Sequence, residues 1–154
     1  MLPDDPEQTH RFRETQAVGT RGHDRTSPPA TLKRHPMDTL FLLTPGFTDR
    51  ARDAVGTRYY CPDCAFLEGV LGCCPELRTQ LDIRYVAYPR PRREIVELVG
   101  EAHQGCPNLV LDPENHGFVD ASRFHRFGDR LHSTDTRVIV DYLAARYGVM
   151  VAHY

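Results

Sequence analysis

The sequence predicts an α/β fold with a four-stranded mixed sheet and helices on both faces, in the order β-α-β-α-β-β-α. Short apolar runs that end at Pro or Gly indicate strands, and segments with helical spacing lie between them. This alternation favours a crossover unit with parallel strands. A turn over residues 112–117 makes the last two strands antiparallel.

The first strand and the first helix have clear ends. The apolar run Leu40–Leu43 stops at Pro45-Gly46, as a buried strand would. Residues 46–60 form a polar loop, and Pro62 then suits the first position of a helix. Pro75 ends this first helix. The apolar face of the helix consists of Phe66, Leu67, Val70, Leu71 and Cys74.

The second strand is predicted over residues 81–88, before the break at Pro89 and Pro91. A second helix follows and is expected to end at Gly105. Apolar residues recur in it at helical spacing: Ile95, Leu98, Val99 and Ala102.

The last elements are two strands and a helix. Residues 108–111 form the third strand, and the pair Phe118-Val119 forms a short fourth strand. A polar insertion, 121–132, precedes the final helix, which Ser133 or Thr134 can cap. The apolar residues of this helix are Val138, Ile139, Tyr142 and Leu143.

The composition excludes several classes of protein. A net charge of -2 over 154 residues gives no basic patch for nucleic acid. No apolar run approaches the roughly 20 residues of a membrane helix, and no apolar leader marks a secreted protein. We therefore expect a cytoplasmic protein without membrane partners. Its five cysteines then point to redox or metal chemistry rather than to structural disulfides.

Residues 1–36 differ from the remainder of the chain. They contain five prolines and no apolar period, so they cannot bury enough surface to fold. We predict a disordered tail over 1–36 and one domain over 37–154. The alternative is that Met37 is the natural first residue.

Cys61-Pro62-Asp63-Cys64 is the strongest local motif. A sulfur at a helix N-terminus faces free N–H groups and the positive end of the dipole, which favours the reactive thiolate. The second sulfur lies one turn along and can resolve a mixed disulfide. Cys61 is therefore the predicted nucleophile and Cys64 the resolving thiol. Asp63 opposes thiolate formation, so we expect a reducing pair.

The order of elements resembles the thioredoxin-like superfamily, nearest to glutaredoxins and the N-terminal domain of glutathione S-transferases. The resemblance covers residues 38–148 and rests on three places: Cys61-X-X-Cys64, Cys106-Pro107 before the third strand, and the stretch 135–148. The chain is also similar to a bacterial thioredoxin-like family with a Tyr-Cys-Pro-X-Cys arrangement. It departs from the pattern in its long loop 44–60 and in the insertion 121–132.

The resemblance implies a glutaredoxin-like thiol–disulfide oxidoreductase. Its partner would be glutathione or a protein disulfide, with glutathione as a candidate co-substrate and no other cofactor. Asp135 and Thr136 match the pair that holds the γ-glutamyl end of glutathione. Cys106 matches the residue whose backbone pairs with the ligand, and the family has a cis bond before Pro107. Tyr60 would form one wall of the groove.

A non-catalytic thioredoxin-fold binding module is the alternative. It would hold zinc or an iron–sulfur cluster through Cys61, Cys64 and Cys106, with a histidine as a fourth ligand. The histidines close together in the sequence are His116, His125 and His132.

Two further sets of residues have simpler interpretations. Cys73 and Cys74 are expected to pack as small apolar residues. Arg90, Arg92 and Arg93 could hold an anionic substrate, but a solvated basic helix start explains them better.

Overall fold

The computed structural model describes residues 36–153, and their sheet has five strands. The predicted disordered tail lies outside the described residues, except for Pro36. The strands are β1 Thr39–Leu43, β2 Asp82–Val86, β3 Asn108–Leu111, β4 His125–Phe127 and β5 Arg130–Ser133. The α-helices are α1 Pro62–Cys73, α2 Leu77–Gln80, α3 Arg93–Val99 and α4 Thr136–Tyr147.

The sheet is mixed, as predicted, and its strand order is β2-β1-β3-β5-β4. β1 pairs in parallel with β2, and Leu40 lies opposite Ile83. All the other neighbours are antiparallel. Every residue of β1 is buried, and successive side chains point to opposite faces, so both faces of the sheet are covered.

The predicted strand at Phe118-Val119 is wrong, and with it the count of four strands. A 3₁₀ helix occupies Pro113–Phe118, and the Asp112 carboxylate caps it by accepting the Glu114 N–H at 3.0 Å. The two last strands instead lie mainly within the predicted insertion. They form a hairpin that turns at Gly128, where φ is +58°.

The helices pack through a few fully buried side chains. Leu67 and Leu71 of α1 and Ile139 and Leu143 of α4 are buried in one core, and α1 contacts α4. Cys74 is buried as predicted, but Cys73 is exposed, so its interpretation as a packing residue is wrong.

The third helix ends earlier than predicted. Gly100, with φ +80°, donates its N–H to the Val96 carbonyl and ends α3, and a 3₁₀ turn over Glu101–His103 follows. A left-handed backbone favours glycine, which is why the chain leaves the helix here and not at Gly105.

A buried carboxylate ties three segments together at the start of β1. Asp38 accepts hydrogen bonds from the Asp112 N–H at 2.8 Å and from Asn115 Nδ2 at 2.9 Å. Its other oxygen accepts the hydroxyls of Tyr142 and Tyr147. Burial and the neighbouring carboxylate raise the pKa of both tyrosines, which therefore remain neutral donors.

Between residues 36 and 153, no helix combines the length and the apolar character needed to cross a membrane.

Candidate active site

The first candidate thiol lies where α1 begins. Cys61 has an extended backbone and caps the helix, and its Sγ accepts the Cys64 N–H at 3.3 Å. Pro62 occupies the first helical turn, as the sequence predicts. The half-buried Cys61 sulfur thus lies at the positive end of the helix dipole.

The second thiol is buried one turn further along the helix. Cys64 is 4% exposed, and its Sγ accepts the Leu43 N–H at 3.4 Å, at the end of β1. Burial raises the pKa of the Cys64 thiol well above its ordinary value, although the Leu43 N–H opposes this rise. At neutral pH Cys64 is therefore a protonated thiol.

A third thiol lies opposite the pair. The Cys106–Pro107 peptide bond is cis, as predicted, and the Cys61 thiol donates to the Cys106 carbonyl at an S···O distance of 3.7 Å. The Cys106 side chain is half-buried. Burial raises the pKa of its thiol to about 11. The fold therefore brings Cys106, which is 45 residues away from Cys61 in the sequence, next to the Cys61–Cys64 pair.

A cavity of about 340 Å³ lies beside the Cys61–Cys64 pair. Tyr60 contributes to its wall and is 64% exposed, so the ring is available to a bound molecule. The remaining lining residues are Leu43, Pro45, Ala65, Glu68 and Tyr85. Glu68 accepts the Tyr85 hydroxyl and the Arg78 guanidinium, which lower the pKa of its carboxyl against the effect of burial.

The long loop before Cys61 is closed at its base. Phe47 and Tyr59 form an antiparallel bridge, and the Gly46 N–H donates to the Tyr59 carbonyl at 2.7 Å. The Phe47 ring stacks on Tyr88 with centroids 4.3 Å apart. These contacts fix the direction in which the chain enters α1.

The proposed glutathione residues lie at the N-terminus of α4. The Asp135 carboxylate accepts the N–H groups of Arg137 and Val138 at 2.8 and 3.2 Å. The predicted cap by Ser133 or Thr134 is therefore wrong: Ser133 ends β5, and its hydroxyl accepts the Asp135 N–H instead. Thr136 is the first residue of the helix.

Thr134 packs against the segment that leads to Cys106. A Cβ added at Gly105 would lie 3.2 Å from the Thr134 methyl carbon, which is a tight contact. The start of α4 is thus next to Gly105-Cys106, and the insertion 121–132 does not carry Asp135 away from this segment.

The sequence analysis missed the role of Arg92. Its side chain is 8% exposed rather than solvated, whereas Arg90 and Arg93 are exposed. The guanidinium donates to the carbonyls of Ala87, Tyr88 and Gln104, and its Nη1 lies 3.9 Å from the Cys106 Sγ. Within a run of three arginines, nothing in the sequence distinguishes this one.

The histidines that meet in the structure differ from the three that lie close together in the sequence. His103, His125 and His132 form a cluster with ring centroids 4.8–5.5 Å apart, while His116 lies in the 3₁₀ helix Pro113–Phe118. Across the described range 36–153, no group of three or more His, Cys, Asp or Glu residues is arranged to hold a metal ion.

A family model described as "Protein of unknown function (DUF3088)" matches residues 37–151 of the chain. No curated protein and no solved structure matches the chain.

Proposed function

The chain belongs to the DUF3088 family, and we propose from its own residues that it is a glutaredoxin-like thiol–disulfide oxidoreductase. The observation that carries the proposal is the Cys61 sulfur at the N-terminus of α1, where it accepts the Cys64 N–H at 3.3 Å. A thiolate accepts such a hydrogen bond better than a thiol does, so the site stabilises the attacking species.

The sheet supports a thioredoxin-like fold. β1 pairs in parallel with β2 and antiparallel with β3, and β3 pairs antiparallel with β5. Without the short edge strand β4, the order β2-β1-β3-β5 is a four-stranded mixed sheet, whose last strand is Arg130–Ser133 and not the predicted Phe118-Val119. The Cys-X-X-Cys segment follows β1, and Cys106-Pro107 precedes β3, as the resemblance implies.

The chemistry follows from the different positions of the two thiols. The Cys61 thiolate attacks a substrate disulfide, forms a mixed disulfide with one sulfur and releases the other as a thiolate. The Cys64 thiol then loses its proton and attacks Cys61 Sγ, which releases the second substrate thiolate. The substrate gains two electrons, and Cys61 and Cys64 become a disulfide that two glutathione molecules can reduce.

Glutathione is the proposed reductant because the resemblance implies that its extended backbone pairs with the edge around Cys106. The backbone beside Pro107 could pair with it as an added strand, while the start of α4 at Asp135 and Thr136 would receive its γ-glutamyl end. The exposed Tyr60 ring would cover the bound thiol. We place this activity in the cytoplasm, where glutathione keeps such pairs cycling.

The test is turnover of a glutathione mixed disulfide by the parent protein, C61S and C73S. Cys73 is an exposed thiol on the same helix and serves as the matched control. C61S should lose the activity, and C73S should retain it. Turnover by C61S at the rate of the parent would contradict the proposal.

A further inference from the structure

We propose that Cys106 is a second resolving thiol, which attacks the mixed disulfide formed on Cys61 in competition with Cys64. This inference rests on the proposed function, because it requires a mixed disulfide at Cys61. It assigns to the cysteine before Pro107 a chemical step of its own, where the resemblance implies only a backbone contact with the ligand.

The first support is the position of Cys106. The Cys61 sulfur is 3.7 Å from the Cys106 carbonyl oxygen, so the two residues are in direct contact across the site. Cys106 is half-buried, whereas Cys64 is 4% exposed. Of the two thiols that could attack a mixed disulfide on Cys61, Cys106 is therefore the more accessible.

The second support is the charge of Arg92. Its guanidinium is buried, and its hydrogen-bond acceptors in the described structure are three backbone carbonyls and the Cys106 sulfur, with no carboxylate among them. A buried cation without a counter-ion is unfavourable. A thiolate at Cys106 would be that counter-ion, so Arg92 favours ionisation of this cysteine.

The two candidate resolving thiols differ in how readily they ionise. Burial raises the pKa of Cys106 to about 11, and Arg92 is the main influence that opposes the rise. The pKa of Cys64 is raised further, and its sulfur has only the Leu43 N–H to counter the burial. The attacking species is the thiolate, so Cys106 supplies it more easily than Cys64 does.

The step is a balanced disulfide exchange. Cys106 gives its proton to solvent, and its thiolate attacks the Cys61 sulfur of Cys61–S–S–R. The Cys61–Cys106 bond forms, the bond to R breaks, and R leaves as a thiolate. The Cys64 thiolate can then displace Cys106 to give the Cys61–Cys64 disulfide, or two glutathione molecules can reduce the bond. No other oxidant or reductant takes part.

The test uses oxidised glutathione as the probe on C64S and on C64S/C106S, with disulfides located by peptide mapping after an acid quench. In C64S we expect glutathione to attach to Cys61 and then leave, with a Cys61–Cys106 bond as the product. In C64S/C106S the glutathione should stay on Cys61. A C64S protein that retains glutathione as long as the double variant does would overturn the inference alone.

The outcomes at Cys61 separate the two proposals. If none of the proteins, the parent included, accepts glutathione at Cys61, the proposed function fails and the second resolving role fails with it. If Cys61 is modified but Cys106 never bonds to it, the proposed function stands and only this inference is wrong.

Variants of Arg92 provide a second test, and a packing role alone would not explain the result expected from them. In the C64S background, R92M should slow closure of the Cys61–Cys106 bond by about tenfold at neutral pH and move its pH dependence upward. R92K should recover part of the rate, because it keeps the charge. R93M, at the exposed neighbour, is the matched control. Equal closure rates in R92M and R93M would contradict the role given to Arg92.

Discussion

Cys61 and Cys64 lie one helical turn apart, but their sulfurs have different surroundings. Cys61 is half-buried at the start of α1, and Cys64 is buried against the end of β1. The Cys61 sulfur accepts a hydrogen bond from a free helical N–H, whereas burial keeps Cys64 protonated. This difference is the basis for the proposed roles of Cys61 as the nucleophile and Cys64 as the resolving thiol.

Iodoacetamide at neutral pH should therefore alkylate the reduced protein first at Cys61. Cys73 provides the control, because it is an exposed thiol in the last turn of the same helix. Peptide mapping at short times should show Cys61 modified before Cys73, and Cys64 last. Faster modification of Cys64 than of Cys61 would contradict the assigned roles.

His132 is a buried histidine, and neither of its ring nitrogens has a hydrogen-bond partner among residues 36–153. Burial lowers its pKa to about 4, with the neighbouring His103 and His125 adding to the effect. The unfolded chain binds a proton at His132 near the ordinary pKa of about 6.5, but the folded protein does not. Stability from this residue is thus present at neutral pH and lost as the pH falls toward 4.

Because His132 binds a proton in the unfolded chain, we expect it to lower the free energy of unfolding by about 2 kcal/mol between neutral pH and about pH 5. H132L should remove this part of the acid destabilisation, since leucine fills a similar volume and does not titrate. Denaturant unfolding at both pH values would measure it, with the exposed His153 changed to Gln as the control. An equal loss of stability in H132L and in the parent would show that His132 does not carry the effect.

At the scale of elements, helix α4 begins at a well-formed cap. Asp135 accepts two N–H groups at the first turn, and the same end of the helix lies beside Gly105. One residue thus stabilises the helix and marks the proposed binding site for the γ-glutamyl group.

D135A should lower the free energy of unfolding by about 1 kcal/mol, because the cap is lost. It should also weaken the binding of reduced glutathione, measured by calorimetry on a C61S protein in which no mixed disulfide can form at residue 61. D129A, at an exposed aspartate in the β4–β5 turn, is the control for both measurements. Unchanged glutathione affinity in D135A would refute the proposed binding role of Asp135. Its role as the helix cap would not be affected by that result.

The sequence indicates some elements well and others poorly, for physical reasons. β1 and β3 are continuous apolar runs, and both are buried throughout, so their signal is strong. β4 is three exposed residues at the sheet edge, and its sequence has no apolar alternation to predict it. The apolar pair Phe118-Val119 suggested a strand, but Pro113 and the Asp112 cap form a 3₁₀ helix there.

In the candidate site, too, some residues could be predicted from the sequence and others could not. Cys61 and Cys64 could be located because Cys-X-X-Cys is a local pattern next to a helix start. The pairing of Arg92 with Cys106 spans 14 residues, and that of Asp38 with Tyr147 spans 109. Such contacts depend on how the sheet brings segments together, and no local spacing predicts them.

At the scale of the whole molecule, the buried Asp38 network and the three thiols of the candidate site lie at opposite ends of β1. Asp38 holds β1, the segment after β3 and α4 together at one end of β1. The thiols lie at the other end, where Leu43 contacts Cys64. The buried polar network is therefore separate from the site where we propose that disulfides are exchanged.

Deletion of residues 1–36 should leave the thermal midpoint nearly unchanged, because their composition predicts no packed core. The measurement is thermal unfolding of the chain with and without this segment. A midpoint lower by more than a few degrees would mean that the segment packs on the domain, and the sequence-based interpretation would be wrong.

The most direct test of the account is the redox equilibrium of Cys61 and Cys64 in glutathione buffers. The protein is equilibrated at a series of ratios of reduced to oxidised glutathione, quenched with acid, alkylated and mapped. We predict a reversible two-electron transition between the dithiol and the Cys61–Cys64 disulfide, with the disulfide persisting in largely reduced buffers, as expected for a reducing pair. A pair that remains dithiol even in oxidised glutathione alone would contradict the proposed function.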